Sequence, residues 1–172
     1  MTSYKEGLNH ITTFIFDVDG VLTNGDIALY KGEIVRTINS RDGYAIQYAV
    51  KMGFDVFIIT GGNSEGVKTR LLGVGAKEVV LNARNKVDEY QKLKSQYHFS
   101  DEQVVYMGDD IPDYQVMKLV GVATCPQDAA VEIKNISVYQ SPFFGGRHCV
   151  RDIIEQTLRV QGKWFTEKAF DW

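Results

Sequence analysis

The tetrad Asp17-Val18-Asp19-Gly20 closes an apolar run, Ile11-Thr12-Thr13-Phe14-Ile15-Phe16. In extended backbone successive side chains alternate faces, so Asp17 and Asp19 project together and Val18 projects away. Gly20 then lets the chain turn sharply out of the strand. Carboxylates held this close repel each other unless a cation or a shared proton relieves them, so the spacing points to metal binding or acid–base chemistry. Polar residues also follow later apolar runs: Thr60-Gly61-Gly62, then Lys86, then Gly108-Asp109-Asp110-Ile111-Pro112-Asp113. A hydroxyl and free amides at a helix start suit an anion, a lysine supplies a mobile point charge, and the last cluster adds further carboxylates.

An oxygen-only ligand set selects a hard cation, and Mg²⁺ favours a few carboxylates plus water. Such an ion also neutralises charge on a phosphoryl oxygen. Phosphoryl transfer needs an in-line nucleophile, charge neutralisation and a proton source for the leaving oxygen. Asp17 suits the nucleophile that forms an aspartyl-phosphate. Asp19, two residues further out, suits the group that protonates the leaving oxygen and later deprotonates water. Those duties need different protonation states, so the two environments should push the pKa values apart.

These residues must be positioned by regular elements. Short, nearly continuous apolar runs at Phe14–Phe16, Val56–Ile59, Val79–Leu81, Val104–Met107 and Val120–Ala123 read as strands buried on both faces. Helical patterns lie between them: Asp42–Met52, Ser64–Leu72 (capped by Asn63 or Ser64), Lys86–Tyr97, a helix begun by Pro112 and running to Leu119, and Val150–Gln161. Alternating strands and helices predict an α/β fold, a three-layer Rossmann-like parallel sheet with ligands beyond the strands' carboxyl ends. Gly25–Ile38 breaks the rhythm and reads as a β-hairpin around Lys31-Gly32, projecting as a small flap beside the acidic mouth.

The 172 residues fit one domain, with 44% hydrophobic and 24% charged residues. A net charge of −3 and the lack of any long basic run argue against nucleic acid as a partner. No apolar stretch is long enough to span a bilayer, and the first residues lack a signal-peptide layout, so a cytoplasmic protein without membrane partners is expected. Cys125 and Cys149 have no CxxC spacing and are expected to be reduced thiols. His10, His98 and His148 are too scattered for a metal cluster.

The ordered set Asp17-Val18-Asp19-Gly20, Ile59-Thr60-Gly61, Lys86 and Gly108-Asp109-Asp110 with Asp113 resembles the four-motif signature of haloacid dehalogenase-like phosphatases. Asn39-Ser40-Arg41-Asp42-Gly43-Tyr44, Gly145-Gly146-Arg147 and Gln161-Gly162-Lys163, with a hairpin in place of a cap domain, resemble more closely the capless family of 3-deoxy-D-manno-octulosonate 8-phosphate phosphatases. That resemblance spans about Phe14 to Lys163. It implies a single capless domain and Mg²⁺ as cofactor. It implies a homotetramer whose hairpins form a barrel and whose neighbours close each site, and a sugar-acid phosphate substrate used in lipopolysaccharide inner-core synthesis.

By the same resemblance Asp17 is nucleophile and metal ligand, Asp19 is acid/base with its backbone carbonyl on the metal, and Asp109 is a metal ligand. Thr60, Gly61 and Lys86 hold the phosphoryl group, and Asp110 and Asp113 orient metal-bound waters or Lys86. Asn39, Ser40, Arg41, Asp42, Gly43 and Arg70 meet the substrate, with Arg70 suited to a carboxylate by its planar fork. The chain departs from its relatives at Gln47 and Gly62, where they often carry arginine. Relatives acting on nine-carbon ulosonate phosphates often carry glutamate at the Gly62 position, so Gly62 argues against that substrate.

Other classes share part of this pattern. A signalling receiver domain also gathers acids, Thr and Lys around Mg²⁺, but it lacks a second Asp two residues after the phosphorylated one. A non-catalytic oligomerisation domain of this fold would not need the complete acidic set. The C-terminal run from Lys163 to Trp172 carries four aromatics and is too apolar to hang in water. It is expected to pack on its own domain or, as the resemblance favours, near a neighbour's site.

Overall fold

The computed structural model describes residues 3–171. Six parallel strands form one sheet in the order β5-β4-β1-β6-β7-β8. They are β1 (Thr13–Phe16), β4 (Asp55–Ile59), β5 (Glu78–Val80), β6 (Val104–Met107), β7 (Val122–Cys125) and β8 (Tyr139–Gln140). Alternation along β1 divides the interior: Phe14 and Phe16 enter one core and Ile15 the other. Helices α1 (Tyr4–Leu8), α2 (Ser40–Lys51), α3 (Glu65–Gly73) and α7 (Cys149–Val160) supply the first core. Helices α4 (Lys86–Tyr97), α5 (Tyr114–Met117) and α6 (Val131–Ile136) supply the second. Because the chain leaves β1 for β4 on one side and returns to β6 on the other, the crevice beyond β1 is the switch point of the sheet.

The parallel α/β architecture agrees with the sequence. Strand β6 and helix α4 have the predicted bounds. Strand β7 starts two residues later than predicted, because Gly121 N–H is spent on Asp101 O at 2.7 Å and the chain is still turning there. The helix begun by Pro112 is shorter: a single tight turn, Ile111–Asp113, leads into α5, which stops at Met117. Short α1, α6 and β8 were not predicted; each buries too few side chains to leave a period.

The hairpin forms with β2 (Ala28–Tyr30) paired to β3 (Glu33–Val35), Leu29 opposite Ile34. Lys31 and Gly32 both take positive φ, 49° and 84°, as a two-residue turn with the twist of paired strands requires. It forms its own two-stranded sheet, with Leu29 79% and Tyr30 62% exposed.

The C-terminal run packs on its own chain, the first of the two placements expected for it. Trp164 meets Tyr48 edge-on at 5.3 Å, between the guanidinium groups of Arg151 and Arg159. Tyr48 donates to Lys163 O at 3.0 Å and accepts from Thr166 N–H at 3.0 Å, Tyr44 donates to Ala169 O, and Lys51 Nζ reaches Asp171. Trp172 lies outside the described residues. Deleting residues 163–172 uncovers Tyr48, which is 1% exposed. The loss of one buried aromatic contact and its bonds should lower the melting temperature by about 4–8 °C. Calorimetry of the truncated chain checks this, and an unchanged melting temperature would show that the tail contributes no packing.

Candidate active site

Four strand ends supply the site, and the backbone sets each residue. Pairing of β1 ends at Phe16, but Asp17 (φ −74°, ψ 170°) and Asp19 (φ −73°, ψ 120°) remain extended, so both side chains face the same cleft. Gly20 then turns with φ +85°, and a Cβ there would lie 1.9 Å from Asp109 Oδ2. Only glycine lets the acids after β1 and β6 approach this closely. The turn is held from behind by the loop before α7: Gly146 N–H donates to Val21 O at 2.8 Å, and a Cβ on Gly145 would meet Gly20 O at 2.0 Å.

Asp17, Asp19, Thr60, Gly61, Lys86, Asp109, Asp110 and Asp113 line one cleft of about 440 Å³. At its floor Lys86, the first residue of α4, lies between two carboxylates, 2.8 Å from Asp17 Oδ2 and 2.7 Å from Asp113 Oδ1. Asp17 Oδ1 accepts from Val18 N–H at 2.6 Å. Asp113 is fully buried and also accepts from Tyr106 Oη at 2.7 Å and Asp109 N–H at 3.3 Å. Asp110 is exposed and caps the turn through Ile111 N–H at 2.8 Å. Thr60 follows β4 and is 3% exposed; its Oγ accepts from Gly62 N–H at 3.1 Å.

Asp17, Asp109 and Asp113 each offer an oxygen within 4.8 Å of the others, a hard-donor cluster that fits a divalent cation. Burial pushes Asp17 up to about 7, aided by Asp113 and opposed by Lys86. Burial, with Asp17 and Asp113 nearby, pushes Asp109 up to about 8. Burial pulls Lys86 down, but Asp17 and Asp113 outweigh it and raise the ammonium above its usual value. The Asp19 carboxylate turns to Arg36, whose Nε and Nη2 donate at 2.6 Å and 2.9 Å, which is compatible with the expectation that Asp19 meets the metal through its backbone carbonyl. Asp113, expected beside the metal set, joins Asp17 and Asp109 in the carboxylate cluster.

Raised carboxylate pKa values carry a stability consequence. Without metal, the folded state holds protons on Asp17 and Asp109 that the unfolded chain, with aspartate near 3.8, has already lost. Their contribution is therefore full below about pH 4 and is lost as pH rises towards 8. A divalent cation needs the ionised forms, so the stabilisation by Mg²⁺ should grow from pH 5.5 to pH 8. Thermal shifts with Mg²⁺ against a chelator measure it; a shift that is flat or falls with pH would contradict the cluster.

The residues expected to meet the substrate lie elsewhere on the chain. Asn39 caps α2 by accepting from Arg41 N–H at 2.9 Å, and Ser40 and Arg41 are exposed. Arg41 lines a separate cleft with Phe143 and His148. Asp42 is fully buried; its carboxylate accepts from Arg151 N–H at 2.8 Å and His148 N–H at 3.3 Å, which caps α7. With both oxygens spent on backbone, Asp42 is a structural residue and its expected substrate contact is corrected. Gly43 is buried, 3.1 Å from Arg70 Nη2 for an added Cβ, and Arg70 is exposed beside the hairpin. Arg36 and Tyr106 were missed by sequence reading, since neither carries a local signal of its distant partner.

The chain was compared with known proteins. It is 34% identical over 155 residues to 3-deoxy-D-manno-octulosonate 8-phosphate phosphatase of Escherichia coli K12, covering 90% of this chain and 82% of that one. The chain belongs to the family of these phosphatases. The Yersinia pestis member's crystal structure superposes with a TM-score of 0.90 at 32% identity, covering 92% of this chain and 86% of that one. The Moraxella catarrhalis family member, solved with magnesium, phosphate and the sugar acid, gives 0.90 at 25% identity and covers 93% of this chain and 92% of that one. No family model matches. Among the described residues, no helix is long and apolar enough to cross a membrane.

Proposed function

We propose that this chain is a Mg²⁺-dependent phosphomonoesterase that works through an aspartyl-phosphate, with 3-deoxy-D-manno-octulosonate 8-phosphate as its substrate. The observation that carries the chemistry is Asp17 held ready by Lys86 beside the triad of oxygens. Family membership carries the substrate.

Asp17 attacks phosphorus, and Thr60, Gly61 and Lys86 hold the phosphoryl oxygens. Asp19 gives a proton to the leaving sugar oxygen and then takes one from the water that cleaves the acyl-phosphate. Asp17, Asp109 and Asp113 would hold the Mg²⁺, with Asp110 at the rim of the cleft. The ion, when bound, supplies positive charge against the phosphoryl oxygens. Asp113 keeps Lys86 in place from behind.

The active assembly is proposed to be a homotetramer built through the hairpins. A two-stranded ribbon is marginal alone, and Ile27, Leu29, Tyr30, Ile34 and Val35 are exposed along this one. Ser40 and Arg41, exposed and outside their own acidic cleft, would reach a neighbour's site. The two free, buried cysteines fit a cytoplasmic setting.

A phosphate-release screen with Mg²⁺ across ulosonate phosphates and hexose phosphates tests the reading, with light scattering for the assembly. The eight-carbon acid should show the highest kcat/KM. Equal turnover of hexose phosphates overturns the substrate, and no release from any ester overturns the reaction.

A further inference from the structure

Arg36 lies at the base of the hairpin just after β3, and its side chain is 6% exposed. Nε and Nη2 are paired with Asp19, but Nη1 is buried with no hydrogen-bond partner. A buried guanidinium nitrogen left unpaired is unfavourable unless something else satisfies it. Arg36 also lines a groove of about 420 Å³ between the hairpin and α3, with Ile34, Val35, Ser64, Val67 and Arg70. Arg36 and Arg70 are its charged lining residues, while Glu33 and Glu65 line the adjoining groove that Arg36 shares. It adjoins the acidic cleft, because Asp19 belongs to the cleft and pairs with Arg36.

Gly62 gives the guanidinium its place. An added Cβ would lie 3.4 Å from Arg36 Nη2, so a larger side chain would compete for the same space.

We infer that Arg36 is a further specificity-determining residue for the carboxylate end of the substrate, which its free Nη1 binds in this groove beside Arg70 while its other nitrogens orient Asp19. The inference rests on the phosphomonoesterase reading above. A planar fork can hold Asp19 on one edge and present remaining N–H groups to a second carboxylate. Recognition of the far end of the substrate is thereby joined to the residue that moves the proton.

The test compares 3-deoxy-D-manno-octulosonate 8-phosphate with its C1 amide, which lacks that charge and puts an N–H donor in place of one acceptor oxygen. The wild-type protein should prefer the acid by about tenfold or more in kcat/KM, the range expected for a charged hydrogen bond. Arg36→Gln should lower the ratio severalfold, chiefly through KM, even with Arg70 in place, and Arg36→Lys should restore part of it. Gly62→Val, which keeps the arginine but crowds it, should also lower the ratio. A preference for the acid that survives Arg36→Gln undiminished in folded protein, with wild-type turnover intact, overturns the inference alone. Turnover of neither ester by the wild type overturns the phosphatase reading and this inference with it.

Discussion

Asparagine at position 17 is expected to reduce phosphate release by about 10⁴-fold or more, since the nucleophile itself is removed. The substitution is close to isosteric, and its side-chain oxygen can still accept from Val18 N–H, as Asp17 does at 2.6 Å. Lys86 keeps Asp113 as its partner at 2.7 Å. Asp17→Asn relieves repulsion among the clustered carboxylates but turns its amide NH2 group towards the Lys86 ammonium, so the metal-free variant should melt close to the wild type. Phosphate assays and calorimetry on the same preparation separate the two effects. Activity within tenfold of wild type would refute Asp17 as nucleophile, whereas lost activity with a collapsed melting curve would show a structural role.

Lys86→Met should produce the largest loss of stability. The ammonium lies between Asp17, 7% exposed, and Asp113, 0% exposed, and no other cation reaches them among the described residues. Removing one partner of a buried ionic group costs about 3–5 kcal/mol, because the charges left behind are uncompensated. In a chain of this size that corresponds to a fall of about 10 °C or more in the melting temperature of the metal-free protein. Magnesium should recover part of the loss by replacing the missing positive charge. A matched control is Lys77→Met, which breaks a pair with Asp55 whose partners are 45% and 39% exposed. Exposed pairs are worth about 1 kcal/mol or less. Equal melting shifts for the two variants would show that the Lys86 cluster is not a buried ionic unit.

The acids of the cleft were legible in sequence because each follows an apolar run, and a parallel sheet places all such ends on one edge. Thr60, Lys86 and the Asp109–Asp113 cluster converge for that reason, and the Lys86–Asp113 pair is a contact that the resemblance implied. What chain order alone could not convey was which carboxylate faces which cation. Arg36 sits in a hairpin whose sequence shows only alternation, and its pairing with Asp19 depends on how that hairpin folds back. Asp42 was expected to meet the substrate at the start of its helix, yet it caps a helix from the far end of the sequence. The aromatic tail showed that something must be covered, but composition does not say which surface receives it. Elements as short as α1 and β8 escaped because a turn or two of chain carries too little periodicity.

The seating of the Gly20 turn against Gly145 and Gly146 also joins distant parts of the chain. Both leading acids are synthesised early, but the surface that braces their loop belongs to the last quarter of the chain. A nascent chain stopped before Gly145 would carry every acid of the cleft and still lack the brace that fixes their spacing. The spacing of the leading acids is thereby fixed from the far end of the sequence, so changes in the loop before α7 should be felt at the cleft without touching it.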